Sequence, residues 1–273
     1  MNIAIIGCGY VGSAVAKYWH QKMTLMVTAT TTTPEKIHEL AAFTQKAILL
    51  KGDEEEKLQN ILKNQDCVLL SIAPGQNNTY EEAYLKTAKN IVKFLENTSV
   101  KHLIYTSTCS VYGDQNGMLV DEETAIKPST KNGEILKQTE QTLLSAANDN
   151  LHVCILRLGG IYGAGRELVK IYSRVAGKIR PGTGDEPSNW IHLDDIVGAI
   201  ELARSQNLSG IYNVVDEENL LNREVIARVC ETHNLEPVIW DSSQPSKRNY
   251  YARISNQKLK NAGYKFIHPQ MTF

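Results

Sequence analysis

Gly7-Cys8-Gly9-Tyr10-Val11-Gly12 is the feature that most narrows what this chain can fold into. It follows directly on an apolar run, Met1 to Ile6, and opens a segment, Val11 to Gln21, with Val11, Val15, Tyr18 and Trp19 at helical spacing. A buried strand, a glycine turn and an amphipathic helix in that order form the start of a βαβ unit. The first glycine allows the tight turn out of the strand. The second lets the backbone approach a pyrophosphate, and the third lets helix and strand pack closely. The N–H groups at the helix start then face the anion. Gly7, Gly9, Tyr10, Val11 and Gly12 are therefore candidate dinucleotide contacts.

The same alternation continues down the chain. Leu25 to Thr28, Ala47 to Leu50, Cys67 to Ile72, His102 to Ser107 and His152 to Leu158 read as strands. Glu54 to Lys63, Thr79 to Glu96 and Gly133 to Ala147 read as the intervening helices, and Thr33-Pro34 as the cap and first residue of another. Strands alternating with helices predict a parallel sheet covered on both faces, a doubly wound Rossmann α/β fold. After Leu158 glycine and turn signals dominate, as in Pro181-Gly182-Thr183-Gly184. Trp190 to Leu193 and Gly210 to Val215 read as later strands, Asp194 to Arg204 and Asn222 to His233 as helices. The expected organisation is a dinucleotide-binding domain over 1–158 and a smaller substrate lobe over 159–273, with 190–215 returning in part to the sheet.

Bulk properties remove whole classes of function. With 42% hydrophobic residues, 22% charged residues and a formal net charge of -1, the chain has neither a disordered composition nor the basic field of a nucleic-acid protein. No apolar run approaches the roughly 20 residues that span a bilayer, and with the chain opening directly into a strand a signal peptide is not expected. Cys8, Cys67, Cys109, Cys154 and Cys230 are scattered and never form a CxxC pair. They read as reduced thiols of a cytoplasmic protein, and no His/Cys/Asp cluster shows metal-ligand spacing.

The cofactor's 2′ position is read from the end of strand two. NAD-specific domains place Asp or Glu there. This chain has Thr28-Ala29-Thr30-Thr31-Thr32-Thr33, with no carboxylate before Glu35 and Lys36 as the nearest cation. Thr30, Thr31 and Thr32 are candidate contacts to a 2′-phosphate, so NADP is expected ahead of NAD. A polar turn that only caps the next helix is the competing reading. Asp53 is placed to reach the adenine edge or to cap the helix that follows. Ser71, Ala73 and Pro74 close strand four with small residues that let a ribose pass close to the backbone.

Four later segments carry a family resemblance. Ile104-Tyr105-Thr106-Ser107-Thr108-Cys109-Ser110-Val111-Tyr112-Gly113 resembles the Ser-Ser-x-x-x-Val-Tyr-Gly segment of the extended short-chain dehydrogenases/reductases, the NAD-dependent epimerase/dehydratase-like proteins. Leu156 to Arg166, Asn189-Trp190-Ile191-His192-Leu193-Asp194-Asp195 and Ile211-Tyr212-Asn213-Val214-Val215-Asp216 are similar to its later motifs, so the likeness spans nearly the whole chain. It implies a nicotinamide cofactor, with Thr106 near it, and a strand-five hydroxyl falling on Thr108. It also implies a Tyr-x-x-x-Lys pair on the next helix. Here Asn132 and Leu136 stand at those positions, and a one-residue slip recovers Lys137 but puts Gly133 at the tyrosine. Asparagine is no general base and leucine tunes no pKa.

Other groups offer weaker substitutes. Tyr162, after strand six, is the candidate proton carrier beside Thr108; Tyr112 and Cys109 read as packing groups. His192 reads as a structural histidine, Asp194 and Asp195 as caps of the helix they precede, and Arg166, Arg180 and Arg253 as surface arginines before anion clamps. Two functions remain. One is an NAD(P)-dependent oxidoreductase or epimerase acting on a small, sugar-like molecule with rearranged acid/base groups. The other is a non-catalytic NADP(H)-binding redox sensor. Neither requires a nucleic-acid or membrane partner.

Overall fold

The computed structural model describes all residues except Thr24, Gly52, Asp53, Gln76, Asn77, Asn78, Lys247 and Asn249. In chain order the elements begin β1 (Asn2–Ile6), α1 (Tyr10–Lys22), β2 (Met26–Thr31), α2 (Lys36–Ala41), β3 (Lys46–Leu49), α3 (Glu55–Leu62) and β4 (Cys67–Leu70). A π-helical turn, Glu81–Lys86, runs into α4 (Thr87–Leu95), followed by β5 (His102–Thr108), a 3-10 turn Cys109–Tyr112, β6 (Asp114–Val120), α5 (Lys131–Leu144) and β7 (His152–Leu158). Then come β8 (Gly160–Tyr162), α6 (Leu168–Tyr172), β9 (Ile179–Pro181), β10 (Trp190–His192), α7 (Leu193–Gln206) and β11 (Gly210–Val214). The chain closes with α8 (Asn222–Thr232), β12 (Ile239–Asp241), β13 (Tyr251–Ile254) and α9 (Gln257–Asn261).

Seven strands form the central sheet in the order β11-β7-β5-β4-β1-β2-β3. β1 pairs in parallel with β2 and β4, as do β2 with β3 and β4 with β5. This is the doubly wound Rossmann arrangement expected from the alternation, with the order reversing between β1 and β4. The central strands are apolar throughout: residues 3–6 of β1 and all of β4 are buried, as a sheet covered on both faces requires. Leu58, Leu62, Ile91, Leu95, Leu143, Val153 and Ile155 pack with Ala4, Val68, Leu70 and Leu103 in one apolar core.

By its contacts the chain divides into two compact units. The first comprises Met1–Ser107, Lys131–Arg157 and Val197–Tyr212; the second comprises Thr108–Thr130, Leu158–Ile196 and Asn213–Phe273. The second unit has its own apolar centres. Tyr162, Leu168, Tyr172, Val225, Val229 and Met271 form one, and Tyr112, Val120, Val215, Ala252 and Ile254 another. Its short strands pair β8 with β10, β9 with β12 and β6 with β13.

Several elements depart from the sequence reading, two of them in the nucleotide-binding half. β2 runs on to Thr31 rather than stopping at Thr28, because β-branched threonines suit a strand as well as a turn. The helix expected as one piece over 79–96 starts as a π-helical turn before α4.

Candidate functional site

The glycine loop lies where the sheet order reverses, between the carboxyl ends of β1 and β4. Open α/β sheets bind their ligands at that place. Its three glycines are required for different reasons. Gly7 has φ +97, and a Cβ there would lie 2.4 Å from the Ser71 carbonyl oxygen. A Cβ on Gly12 would lie 2.4 Å from the Gly7 oxygen. These two are forced by the protein itself. Gly9 is not: among the described residues a Cβ there would meet nothing within 4 Å, and its φ is -80. The space over Gly9 is open among the described residues and fits a pyrophosphate.

The loop is fixed from below. Thr30 accepts the Gly7 N–H at its hydroxyl (3.0 Å) and the Cys8 N–H at its carbonyl (2.6 Å). Ser13 donates its hydroxyl to the Cys8 carbonyl at 3.1 Å. α1 starts at Tyr10 with Gly9 as N-cap, no side-chain cap and no acidic residue in its first turn. Val11 and Gly12 are buried beneath that turn. An uncapped helix start facing an open glycine suits an anion. Burial pushes the Cys8 thiol up to about 12, so it stays protonated beside the loop.

The other sequence candidates fall as follows. Thr31 accepts the Thr33 N–H at its hydroxyl (3.1 Å), while Thr32 is exposed. Lys36 opens α2, just after the threonine run. Thr106 donates its hydroxyl to the Ser71 hydroxyl at 3.2 Å, linking the ends of β5 and β4. Ala73 is exposed and Pro74 half-buried just beyond. Asp53 lies outside the described residues.

Thr108 ends β5 half-buried. Its hydroxyl accepts the Ser110 N–H and donates to the Ser110 hydroxyl, both at 3.2 Å, so it caps the 3-10 turn Cys109–Tyr112. One residue earlier the sequence reading missed a buried ionic cluster. Ser107 donates to Glu140 at 2.5 Å, and Arg157 grips the same carboxylate through Nε and, at 2.7 Å, a terminal nitrogen. Glu140 is 1% and Arg157 3% exposed. The cluster ties α5 to β5 and β7. On α5, Asn132 is exposed and Leu136 buried, and Lys137 approaches Glu134 at 3.9 Å.

In the second unit Tyr162 is buried in the apolar centre. Its ring stands edge-on to Trp190 and His192, and its hydroxyl accepts the Thr272 N–H at 3.2 Å. Burial pushes its phenol up to about 12. Accepting one N–H leaves the hydroxyl its proton, while burial makes that proton harder to give up. Tyr112 is spent, donating to Asn213 at 2.9 Å. Cys109 is buried, Arg166 and Arg253 are exposed, and Arg180 lies over the Trp240 ring. Asp194 and Asp195 fall inside the first turn of α7 rather than ahead of it. Asp195 is fully buried and accepts the Tyr264 hydroxyl and the N–H groups of Ile267 and His268. Asp194 lies beside His192 and His268. That grouping, absent from the sequence reading, has no linear signature because 74 residues separate Asp194 from His268.

Among known proteins the chain is similar over its whole length to Protein YeeZ of Escherichia coli (strain K12). The two are 27% identical over 281 residues, covering 98% of this chain and 96% of that one. Its fold matches UDP-glucuronic acid 4-epimerase from Bacillus cereus, solved with NAD, at TM-score 0.80 and 17% identity, covering 100% of this chain and 93% of that one. It also matches human epimerase family protein SDR39U1 (isoform2), solved with NADPH, at TM-score 0.79 and 15% identity, with 99% and 96% covered. Those identities establish a shared fold. The family model for the NAD dependent epimerase/dehydratase family matches residues 3–214. With the glycine loop at the switch point and the motifs in family order, the chain belongs to the NAD dependent epimerase/dehydratase family.

Proposed function

We propose that this protein is an NAD(P)-dependent oxidoreductase or epimerase-like enzyme for a small, sugar-like substrate, working without the family's Tyr-x-x-x-Lys pair. The observation that carries the reading is Gly9. It is a glycine that no atom of the described chain requires, at an uncapped helix start. A bound nicotinamide dinucleotide would supply hydride transfer. Gly7, Gly9, Tyr10, Val11 and Gly12 would hold its pyrophosphate, and Ser71, Ala73, Pro74 and Thr106 would border its ribose side. Asp53 is proposed at the adenine edge. The sugar-like substrate rests on relatives such as the Bacillus cereus UDP-glucuronic acid 4-epimerase.

NADP is the proposed form. No carboxylate follows β2 before Glu35, Thr32 is exposed there, and Lys36 at the start of α2 is the nearest cation in the chain. Thr30 and Thr31 spend their acceptor capacity on backbone N–H groups but keep hydroxyl protons to donate. Calorimetric titration is expected to show tighter binding of NADPH than of NADH. Equal or tighter NADH binding overturns the preference.

Thr108 is the proposed substrate-facing hydroxyl. To serve a substrate oxygen it must turn its proton away from Ser110, a local exchange of one hydrogen bond for another. Thr108→Val should leave NADPH affinity unchanged and lower turnover at least about tenfold, a modest part of the 2.7–4 kcal/mol that a preorganised donor contributes. Tyr162 stays the weaker proposed proton carrier: its hydroxyl accepts the Thr272 N–H and keeps its proton, which burial makes harder to release.

The second reading, a redox sensor that binds NADP(H) without turnover, is favoured by one observation. Asn132 and Leu136 offer no titratable group, and Leu136 is buried. Tight NADPH binding, no turnover of nucleotide sugars and no effect of Thr108→Val would together select the sensor.

A further inference from the structure

We propose that His192, Asp194 and His268 form a binding site for a divalent transition-metal ion of the zinc type, clipping the C-terminal segment onto the start of α7. One donor atom from each residue lies within 4.8 Å of the other two. His192 Nδ1 and His268 Nε2 stand 3.4 Å and 3.2 Å from the same Asp194 oxygen. With metal–ligand bonds of about 2.0–2.1 Å, neighbouring ligand atoms around tetrahedral zinc are about 3.3–3.4 Å apart. Two of the three ligand separations therefore already have the required length.

The ligand set is chemically apt. Two imidazoles and a carboxylate form a borderline-soft site that suits zinc and leaves one tetrahedral position for water. The two imidazole rings stack with centroids 3.7 Å apart and planes tilted by 40°; to share one tetrahedral ion they must splay to roughly 5 Å, a side-chain rotation that the exposed side of the cluster permits.

The ligands are also held from behind. The buried Asp195 carboxylate accepts the His268 N–H at 2.9 Å and the Ile267 N–H at 2.7 Å, fixing the backbone that carries His268. The His192 ring packs edge-on against buried Tyr162 at 5.0 Å. Such outer support orients metal ligands. The Asp194 N–H now donates to His192 Nδ1 at 3.2 Å; a metal would take over that lone pair. The site needs nothing from the dinucleotide, so it stands apart from the proposed function.

The test uses the full chain, stripped with a chelator and titrated with Zn²⁺ by calorimetry and with Co²⁺ by visible absorption. One equivalent of Zn²⁺ should bind, Co²⁺ should develop the intense bands of a tetrahedral site, and Zn²⁺ should raise Tm. Asp194→Asn and His268→Gln should each weaken Zn²⁺ at least about tenfold and abolish those bands, with Tm in chelator unchanged. Asp194 is largely exposed, so its variant should fold even if the other does not. His20→Gln, at an exposed histidine elsewhere, should change nothing. If the wild type binds no Zn²⁺, or both site variants bind like the wild type, the proposal fails.

Discussion

At the scale of single residues, the three glycines of one loop give three separable phenotypes. Gly9→Ala places a methyl in open space, so stability should stay within about 0.5 kcal/mol of wild type while dinucleotide affinity collapses. Gly7→Ala puts a side chain at φ +97 against a carbonyl oxygen. It should cost roughly 1–3 kcal/mol of stability from backbone strain, before any clash. Urea denaturation and cofactor titration on the same samples separate the two effects. A Gly9→Ala protein that binds normally would remove the basis for placing the pyrophosphate there. This loop was legible from sequence because its turn and its helix contact are local; the Ser71 carbonyl that also excludes a side chain at Gly7 lies far along the chain and was not legible. Thr30 was legible only in part. Its position at the end of β2 marked it as a cofactor contact, yet its hydroxyl holds the loop through the Gly7 N–H.

At the scale of elements, α5 is placed by its Glu140 contacts. A carboxylate 1% exposed, gripped by Arg157 and Ser107, is costly to break from one side. Glu140→Gln should destabilise by about 3–5 kcal/mol, because a buried guanidinium then lacks its counter-charge. Replacing both partners by methionine should recover most of that loss. Urea denaturation of the single and double variants measures both; equal losses would show that packing, not charge, holds the helix. The long periodic elements of the central sheet were readable in the chain, since apolar runs such as Cys67–Leu70 and amphipathic runs such as Thr87–Leu95 state their own type. The short strands were not. β6 reads Asp-Gln-Asn-Gly-Met-Leu-Val and pairs with β13, which lies more than a hundred residues later. Neither composition nor alternation announces such a pair. The Asp194–His268 approach is hidden in the same way, since only the fold of the second unit joins the two positions.

At the scale of the whole molecule, two buried groups set opposite pH dependences. Burial lowers the pKa of His102, fully buried, from 6.5 to about 4. Its contribution is present above pH 6.5 and lost as pH falls through about 4. Burial raises the pKa of Asp216, 5% exposed, from 3.8 to about 8. Its contribution is present below pH 3.8 and lost as pH rises through about 8. Between pH 4 and 6.5 the two slopes nearly cancel. From pH 6.5 to 8 only Asp216 changes, and stability should fall by about 2 kcal/mol. Asp216→Asn should flatten that limb in a series of urea denaturations. A wild-type profile already flat above pH 6.5 would show that Asp216 ionises freely in the folded state.

The interleaving of the two units has a consequence for synthesis. Each is assembled from three separated stretches, so no single cut releases either intact. The strand that completes the edge of the sheet beside β7 is Gly210–Val214. A ribosome that has made the glycine loop, β1 and α1 still has about two hundred residues to add before β7 gains its outer neighbour. The emerging chain must therefore keep a partly open, apolar parallel sheet from pairing with neighbours throughout most of translation. Chaperone demand should thus follow the moment Tyr212 leaves the exit tunnel, not the moment the nucleotide-binding motif does.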